Sequence, residues 1–512
     1  YVSDLFFQSI GLISYLFSLT LIFTGLNITL SKDLFLVIEN IFYSILIATL
    51  FNCSKGGDSL DTFSTSTTSI KETSSLEESD SSEDTTSSQE TANNSDSEEN
   101  ETNTEDSNSE EESTQESSSD ETASLILDTS GGCTKFIGNG PMGEWFKFVD
   151  GSQEEAHAHF IFTSSDNGIL QIGETGFLDN NTAKILVAKT DASGNLVWKK
   201  EFGDPGHNLG NSIIEVSDGY IITGSINKNS IVIKVDKSSG NTIWSQTYDN
   251  GGTDAIEHLV ETTSGYAAVG YINATDENNT FYTEGEGYIS FLDLNGNKLS
   301  GKSFDSQMSH AYRIFKVENN LIISGLTAGA EDYSLMKTDL NGEKDWVKTY
   351  GGDNKDHCFA MDISKDNSIY LSGHTLSGVD NWDTYTMKID LNGNKLWEKK
   401  RGNPRGFNPL YIHDEVWDLK ATDDGGCIIV AGTGDEYSYE ESCPQSKDLS
   451  NVWQVYLIKF SSSGEIQWDK TYAPVSGDDW AGEAIDITSD GGAVIAVDNS
   501  QFGILKIAPI NN

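Results

Sequence analysis

Apolar and polar positions repeat in a fixed order from about residue 143 onward, where short apolar runs are separated by turns of Gly, Asp and Asn. One phrase, Asp-x-x-Gly-Asn-x-x-Trp, occurs at residues 191–198, 236–244 with one inserted residue, 339–346 with Glu in place of Asn, and 390–397, with weaker copies at 293–300 and 461–468. It alternates with a second phrase, an Asp-Gly-type turn running into an apolar strand that usually ends in Gly, at residues 168–173, 219–224, 265–270, 320–325, 367–373, 425–432 and 491–497.

Each repeated unit predicts four short strands, for example residues 212–217, 220–224, 231–235 and 242–248. The Asp-Gly turn joins the first two strands and the Asp-x-x-Gly-Asn turn joins the last two, because Gly and Asn tolerate the positive φ of hairpin turns. A period of about fifty residues with four strands per unit indicates an all-β β-propeller. The seven copies of the second phrase predict seven four-stranded antiparallel blades.

The last unit supplies only three of its four strands before the chain ends. Residues 143–148 match the outer strand of other units, such as residues 194–202. We therefore predict that this N-terminal strand completes the C-terminal blade. Such closure leaves no unpaired edge between the first and last blades.

The recurring Trp is predicted to pack between adjacent blades, with its indole N–H donating to a backbone carbonyl. The phrase resembles the Trp-docking repeat of quinoprotein-like propellers, whose blades carry Asp, Gly and Trp at similar spacing. The resemblance covers most of residues 125–512 and implies architecture only. Quinoprotein dehydrogenases also use an adjacent Cys pair, which this chain lacks, so we expect none of their cofactor.

Composition narrows the possible partners. The chain has 48 Gly, 7 Pro, 10 Trp, 19 Tyr and 23 Phe in 512 residues, which is typical of many short strands joined by turns. Its formal net charge of −48 excludes nucleic acid as a partner, because phosphate backbones are bound by basic patches. Cations, sugars and basic proteins remain possible partners.

Residues 1–53 hold two apolar runs, at 5–30 and 34–51, and the second ends just before Cys53 and a polar segment. This ending resembles a bacterial lipoprotein signal, which implies acylation of Cys53. The alternative is a transmembrane helix over residues 5–30. Either anchor would tether the protein to a membrane, and we expect a place in the bacterial cell envelope, at the outer membrane surface.

Residues 54–124 form an acidic Ser/Thr/Glu/Asp tract with almost no aromatic residues. Such a tract cannot bury enough apolar surface to offset chain entropy, so we predict a disordered linker. A flexible coil of this length spans on the order of 45 Å, and like-charge repulsion extends it. It would act as a stalk beneath the propeller of residues 125–512, with calcium buffering or partner binding as the alternative role.

Both repeated turns fall on one face of the predicted disc, while the long insertions at 273–287, 376–383, 401–415 and 434–452 fall on the other. Variable loops on a rigid scaffold commonly form binding surfaces. Aromatic and Arg residues in these loops are our candidate site for a carbohydrate or protein ligand, and the alternative is that they only pack the loops onto the disc. The candidates are Phe281, Tyr282, Trp382, Arg401, Arg405, Phe407, Tyr411, Tyr437, Tyr439 and Trp453.

Four carboxylates occur at corresponding positions before the first strands of their units: Asp254, Asp356, Asp414 and Asp479. Convergence near the axis would form a cation site, with calcium as the suitable ion. The alternative is that each caps the turn that begins its strand.

Other candidate chemistry is sparse. His157 and His159 lie two residues apart without an evident third metal ligand, and no Gly-x-Ser-x-Gly, His-Glu-x-x-His or phosphate-loop motif occurs. With Cys53 acylated, four Cys allow three pairings, of which Cys427–Cys443 would tie the longest insertion to its blade.

These features favour a monomeric, non-catalytic cell-surface binding or scaffold protein, resembling the propeller-bearing envelope proteins of bacteria. The alternative is an extracellular enzyme, such as a polysaccharide lyase, a hydrolase or a quinoprotein-type oxidoreductase.

Overall fold

The computed structural model describes most of the predicted propeller. The described residues are 138–152, 155–178, 180–275, 285–304, 307–329, 331–377, 381–402, 412–434, 453–474 and 479–511. They belong to one compact unit, Glu111–Asn512. The predicted anchor and linker lie outside the described residues.

Within these ranges, 28 strands form seven four-stranded antiparallel sheets, so the predicted seven-bladed propeller is confirmed. Blade 1 is Ala156–Thr163 (β2), Ile169–Thr175 (β3), Ala183–Thr190 (β4) and Leu196–Gly206 (β5). Blade 2 is Leu209–Val216 (β6), Gly219–Ile226 (β7), Asn229–Val235 (β8) and Thr242–Tyr248 (β9). Blade 3 is Thr253–Thr262 (β10), Gly265–Ala274 (β11), Glu286–Leu292 (β12) and Lys298–Ser303 (β13).

The remaining blades have the same order. Blade 4 is His310–Val317 (β14), Asn320–Leu326 (β15), Tyr333–Asp339 (β16) and Lys344–Tyr350 (β17). Blade 5 is Asp356–Ile363 (β18), Ile369–Ser377 (β19), Asn381–Ile389 (β20) and Lys395–Arg401 (β21). Blade 6 is His413–Ala421 (β22), Cys427–Gly434 (β23), Gln454–Phe460 (β24) and Ile466–Tyr472 (β25).

Blade 7 joins the two ends of the described chain. Its strands are Ala481–Ile487 (β26), Ala493–Asp498 (β27), Phe502–Ile507 (β28) and, on the outside, Gly143–Val149 (β1). β1 pairs antiparallel with β28, with Phe146 opposite Leu505. The first strands of the seven blades contact one another in a closed ring around the axis.

The apolar core lies between blades. One cluster joins Val430 and Leu457 of blade 6 to Ile495 and Leu505 of blade 7, and similar clusters join other neighbours. Middle strands such as β23 and β24 are buried along their whole length because a neighbouring blade covers each face. Outer strands such as β9 alternate between exposed and partly buried positions because water reaches one side.

The repeated Trp links several blades to the next blade at the outer rim. In several blades the indole covers the positive-φ Gly of the next blade's Asp-x-x-Gly-Asn-type turn, as Trp198 covers Gly240 and Trp397 covers Gly464. The indole N–H of Trp198 donates to the Lys237 carbonyl at 3.2 Å. The predicted role of the Trp in packing between blades is therefore confirmed.

A β-bulge interrupts the first strand of every blade at the same level of the channel. The extra residue has no partner in the register of the second strand, and the residues on either side of it are paired. Glu483, for example, lies between the paired residues Gly482 and Ala484. A bulge redirects its side chain away from the regular alternation of the strand. The seven bulge residues are His159, Asn211, Glu257, Tyr312, Phe359, Trp417 and Glu483.

The Gly that ends the second repeated phrase accommodates this bulge. A Cβ added to Gly224 would lie 2.0 Å from the carbonyl oxygen of Leu209, and one added to Gly373 would lie 1.7 Å from that of His357. The same approach occurs at Gly173, Gly270 and Gly325. Only Gly therefore fits opposite the bulge in these five blades. In blade 7 the Gly is on the first strand instead, as Gly482 opposite Val497.

We expect Gly224→Ala to lower the free energy of unfolding of the full chain by about 2 kcal/mol or more, because the backbone must shift to admit a methyl group. Gly352→Ala is the matched control, since no atom lies within 4 Å of the added Cβ, and its effect should stay within about 0.5 kcal/mol. Denaturant titration measures both values. Equal losses in the two variants would contradict the close-approach explanation.

Candidate ligand-binding site

A cavity of about 700 Å³ lies where blades 6, 7 and 1 meet, and we call it the mouth cavity. It lies on the loop face, which is the face formed by the connections between second and third strands and between blades. Cavities of this size accommodate small ligands. Its described lining is Glu155, His157, Glu415, Trp417, Trp453, Asp479, Ala481, Glu483, Asp498, Asn499 and Ser500.

A smaller cavity of about 50 Å³ follows the axis, and we call it the axial cavity. All seven bulge residues line it, together with Leu209 and Arg313. Trp417 and Glu483 line both cavities, so these two side chains lie where the mouth cavity meets the channel. The bulge register therefore determines which side chains form the inner end of the mouth cavity.

The mouth cavity is acidic. Five of its described lining residues are Asp or Glu, and none is Lys or Arg. His157 on β2 is its one basic side chain, and its Nδ1 lies 2.5 Å from Oδ2 of Asp498 at the end of β27. This pair connects blade 1 to blade 7.

The same pair controls the protonation of His157. Burial lowers the pKa of His157, but the hydrogen bond and charge of Asp498, with smaller effects of Glu174 and Glu155, outweigh burial and raise that pKa to about 9. His157 is therefore an imidazolium at neutral pH, and its Nδ1–H donates to Asp498.

Glu483 is in a different state. It makes no hydrogen bond or ion pair with any other residue in the described part of the chain. Burial, followed by repulsion from Asp498, raises the pKa of its carboxyl to about 8. At neutral pH this carboxyl is mostly protonated.

His159 does not combine with His157 into a metal site. Its Nε2 lies 2.7 Å from Oε2 of Glu174, whereas His157 contacts Asp498 and Glu155. Burial lowers the pKa of His159, and the charge and hydrogen bond of Glu174 more than compensate, so that pKa is raised. Each His of the pair thus has its own carboxylate.

A wall of aromatic rings continues around the channel from the mouth cavity. Trp417 packs against Phe359, with ring centroids 4.6 Å apart, and Phe359 packs against Tyr312 at 4.8 Å. The predicted ligand residue Trp382 lies at the start of β20 and packs on His357, with centroids 4.5 Å apart. It is not part of the mouth-cavity lining.

The two other described candidates for ligand binding make different contacts. Trp453 lines the mouth cavity and packs over Gly434. Arg401 ends β21, and its Nη2 donates to Oδ2 of Asp469 in blade 6 at 2.8 Å, so it forms an ion pair between blades. The remaining candidates lie outside the described residues: Phe281, Tyr282, Arg405, Phe407, Tyr411, Tyr437, Tyr439 and the acylation candidate Cys53.

The four Asp residues of the predicted cation site belong to four different blades. The Asp254 carboxylate accepts the amide of Asn250 at 2.6 Å, and that of Asp356 accepts the amide of Gly352 at 3.0 Å. Asp479 accepts the amide of Trp453 at 2.8 Å, and Asp414 is fully buried. Across the described ranges, no three His, Cys, Asp or Glu side chains are grouped to hold a metal ion. A calcium site at these residues stays a prediction.

Cys427 is a free, fully buried thiol in β23. Burial raises its pKa. The predicted Cys427–Cys443 disulfide is therefore wrong, because the side chain packs in the core between blades 5 and 6. Cys443 itself lies outside the described residues.

Sequence reasoning missed most of the mouth cavity. Glu155, His157, Glu483 and Asp498 were outside the long insertions on which the prediction concentrated, and Glu415 ends one of those insertions but was not among the candidates. A usable signal does exist, since polar residues interrupt apolar first strands in segments such as Ala-His-Ala-His at 156–159 and Ala-Gly-Glu-Ala at 481–484. Such residues at the start of an axial strand face the channel.

No family model matches this chain, and no curated protein matches it. Solved propeller structures are similar in fold. A catalytically inactive virginiamycin B lyase from Staphylococcus aureus with quinupristin has 10% sequence identity and a TM-score of 0.44 over 71% of this chain and 99% of that chain. The Pan2 WD40 domain of Neurospora crassa has 12% identity and a TM-score of 0.43 over 70% and 90%.

Hydrazine synthase from Kuenenia stuttgartiensis is also similar, with 9% identity and a TM-score of 0.45 over 71% of this chain and 99% of that chain. With TM-scores below 0.5, these similarities carry no argument about ligand or activity. Among the described residues, no helix has the length and apolar character needed to cross a membrane.

We expect His157→Gln to lower the free energy of unfolding by about 1 kcal/mol near neutral pH, the upper end for partly exposed ion pairs. Because the folded pKa of about 9 exceeds the unfolded value of 6.5, the contribution of His157 is complete below pH 6.5 and disappears as the pH rises through 9. Denaturant titrations from pH 6 to 9.5 should show the difference between wild type and variant shrinking.

His258→Gln is the control for this prediction. Burial, with the charges of Arg313 and Lys420, lowers the pKa of His258 to about 3, so this side chain stays neutral over the whole range. Its variant should show a loss of stability that grows slightly from pH 6 to about pH 7.5, where only the unfolded wild-type chain titrates, and then stays constant up to pH 9.5. A constant difference for His157→Gln would contradict the role of the charged pair.

Proposed function

We propose that this protein is a non-catalytic binding protein that presents the mouth cavity to a ligand outside the cell. The observation that carries the proposal is the cavity itself, about 700 Å³ at the end of the channel, with two indoles and several carboxylates in its lining. Stacking surfaces beside hydrogen-bond acceptors suit both carbohydrate and protein ligands.

The chemistry of the described lining favours binding over catalysis. A general base active near neutral pH needs a pKa close to that pH. The His157 pKa of about 9 leaves the ring protonated, and Asp498 already accepts its hydrogen bond. Ser500 carries the only hydroxyl in this described lining; its backbone N–H donates to Asp498, and its carbonyl accepts from the Ala156 amide. No Ser–His arrangement is therefore present in the described lining.

The proposal includes the tether predicted from sequence. An anchor at Cys53, or a helix over residues 5–30, would hold a monomeric propeller at the bacterial outer membrane. In this proposal the acidic linker of residues 54–124 acts as a spacer between the anchor and the propeller.

One observation favours the enzymatic alternative. Glu483, with its pKa raised to about 8, would be mostly protonated near neutral pH, and the carboxyl groups of Asp498 and Glu415 lie around it. Two carboxyl groups in opposite protonation states can act as general acid and base in glycoside hydrolysis. A polysaccharide hydrolase or lyase is therefore our second candidate function.

Screening of the full chain on glycan and peptide arrays, with calcium or with a chelator, tests the proposal. We expect a ligand whose affinity falls about tenfold or more in Trp453→Leu, as is usual when a central aromatic side chain is removed from an interface. The control is Phe148→Leu, since Phe148 is 58% exposed on β1 and outside the cavity lining.

Mass spectrometry of the bound ligands separates the two candidate functions. Unchanged ligand after prolonged incubation supports binding. Turnover that is lost in Glu483→Gln would favour the enzyme, and an absence of any ligand sensitive to Trp453 would overturn the proposed site.

A further inference from the structure

We infer that the mouth cavity selects a cation at the end of an aliphatic chain, namely an ammonium or guanidinium group such as that of a basic amino-acid side chain. This inference rests on the proposed function, because it names the ligand class of the same cavity. It follows from the pairing of charges inside the cavity, from the position of its two indoles and from the state of Glu483.

The negative charge in the cavity is only partly neutralised by the protein. His157 contacts two carboxyl groups: its Nδ1 lies 2.5 Å from Oδ2 of Asp498, and its Nε2 lies 3.5 Å from Oε1 of Glu155. Among the described residues, Glu415 lies beside His413, whose Nδ1 is 3.6 Å from Oε1 of Glu415. With no Lys or Arg in the described lining, the mouth cavity keeps a net negative charge. Anionic ligands would be repelled and cations attracted.

Carboxylates alone do not make a binding site, and the second feature is the aromatic surface. Trp417 and Trp453 both line the cavity, and Trp417 also lines the axial cavity below it. An indole face attracts a cation and also packs against a hydrocarbon stem. The same cavity thus offers an apolar surface for the stem and carboxylates for the charged end.

Glu483 supplies the third feature, a carboxyl group at the inner end of the cavity with no hydrogen-bond or ion-pair partner among the described residues. The Glu483 side chain is partly exposed to the cavity, so a charged donor entering the cavity could hydrogen-bond to it directly. The polar side chains around it are Asp498, Glu415, His157 and His159. None of these neighbours is a Lys or Arg that could occupy the position of the ligand cation.

Calorimetry with the full chain tests the inference with two isosteric probes, N-acetyl-L-arginine amide and N-acetyl-L-citrulline amide. Citrulline keeps the shape and stem of arginine but has no charge. We expect the arginine probe to bind about tenfold or more tightly, since hydrogen bonds to charged groups are roughly twice as strong as neutral ones. Agmatine and the tripeptide Gly-Arg-Gly, run in parallel, distinguish a free amine-type ligand from a side chain carried by a peptide.

Isosteric variants locate the site. Glu415→Gln should weaken binding of the arginine probe about fivefold to tenfold, as expected for removal of a partly buried charge partner. Glu261→Gln is the matched control, because Glu261 is an exposed residue at the hairpin end of another first strand, β10. The control should bind the probe as wild type does.

The pH dependence isolates Glu483. Since its pKa is raised to about 8, a bound cation would favour the ionised form, and binding would release a proton. We expect affinity for the arginine probe to rise about tenfold between roughly pH 6.5 and pH 8.5, as an opposite charge lowers a nearby carboxyl pKa by one to three units. Glu483→Gln resembles the protonated side chain, so the variant should fold normally and lose this pH dependence.

The outcomes separate this inference from the proposed function. Equal binding of the arginine and citrulline probes, or binding of neutral glycans only, would overturn the cation inference and leave the cavity as a binding site. Wild-type affinity in both Glu415→Gln and Glu483→Gln would show that the cation binds elsewhere. An absence of any ligand in all assays would overturn both proposals.

Discussion

The close approach of two backbones near the axis is the constraint on which the rest of the structure depends. In five blades a Gly on the second strand leaves room for the carbonyl oxygen of the first strand, 1.7–2.0 Å from where a Cβ would be. That space permits the bulge, and the bulge directs one side chain per blade toward the channel. The close approach at these Gly residues therefore allows the first strands to form a ring and also places the bulge side chains in the channel.

The outer rim is held by a different set of contacts. Several of the repeated Trp residues cover a turn of the next blade, and the apolar clusters lie between neighbouring sheets, so a blade is stabilised mainly by its neighbours. Such an arrangement stabilises a ring only if its first and last members also pair. Here the β1–β28 pairing and the His157–Asp498 contact supply that link.

The mouth cavity lies beside this closing junction. Blade 7 carries Glu483 and Asp498, blade 1 carries His157, and blade 6 carries Glu415 and Trp417. The repeat sets where these side chains lie, while the residue type at each position sets the chemistry. On the opposite side of the channel, Tyr312 and Phe359 occupy equivalent bulge positions and form an aromatic wall. One scaffold thus combines an acidic side and an aromatic side.

Turn chemistry is local, and the sequence by itself therefore determined the strand order, the blade number and the packing role of the repeated Trp. The candidate site was predicted only in part: Trp453 lines the cavity, whereas Trp382 and Arg401 make contacts elsewhere in the ring. Tertiary structure decided the rest. His157 and Asp498 meet because the ring closes across 341 residues of sequence, and Glu483 faces the channel because of a one-residue bulge in strand register. Both depend on backbone positions in space that no local pattern of residue types specifies.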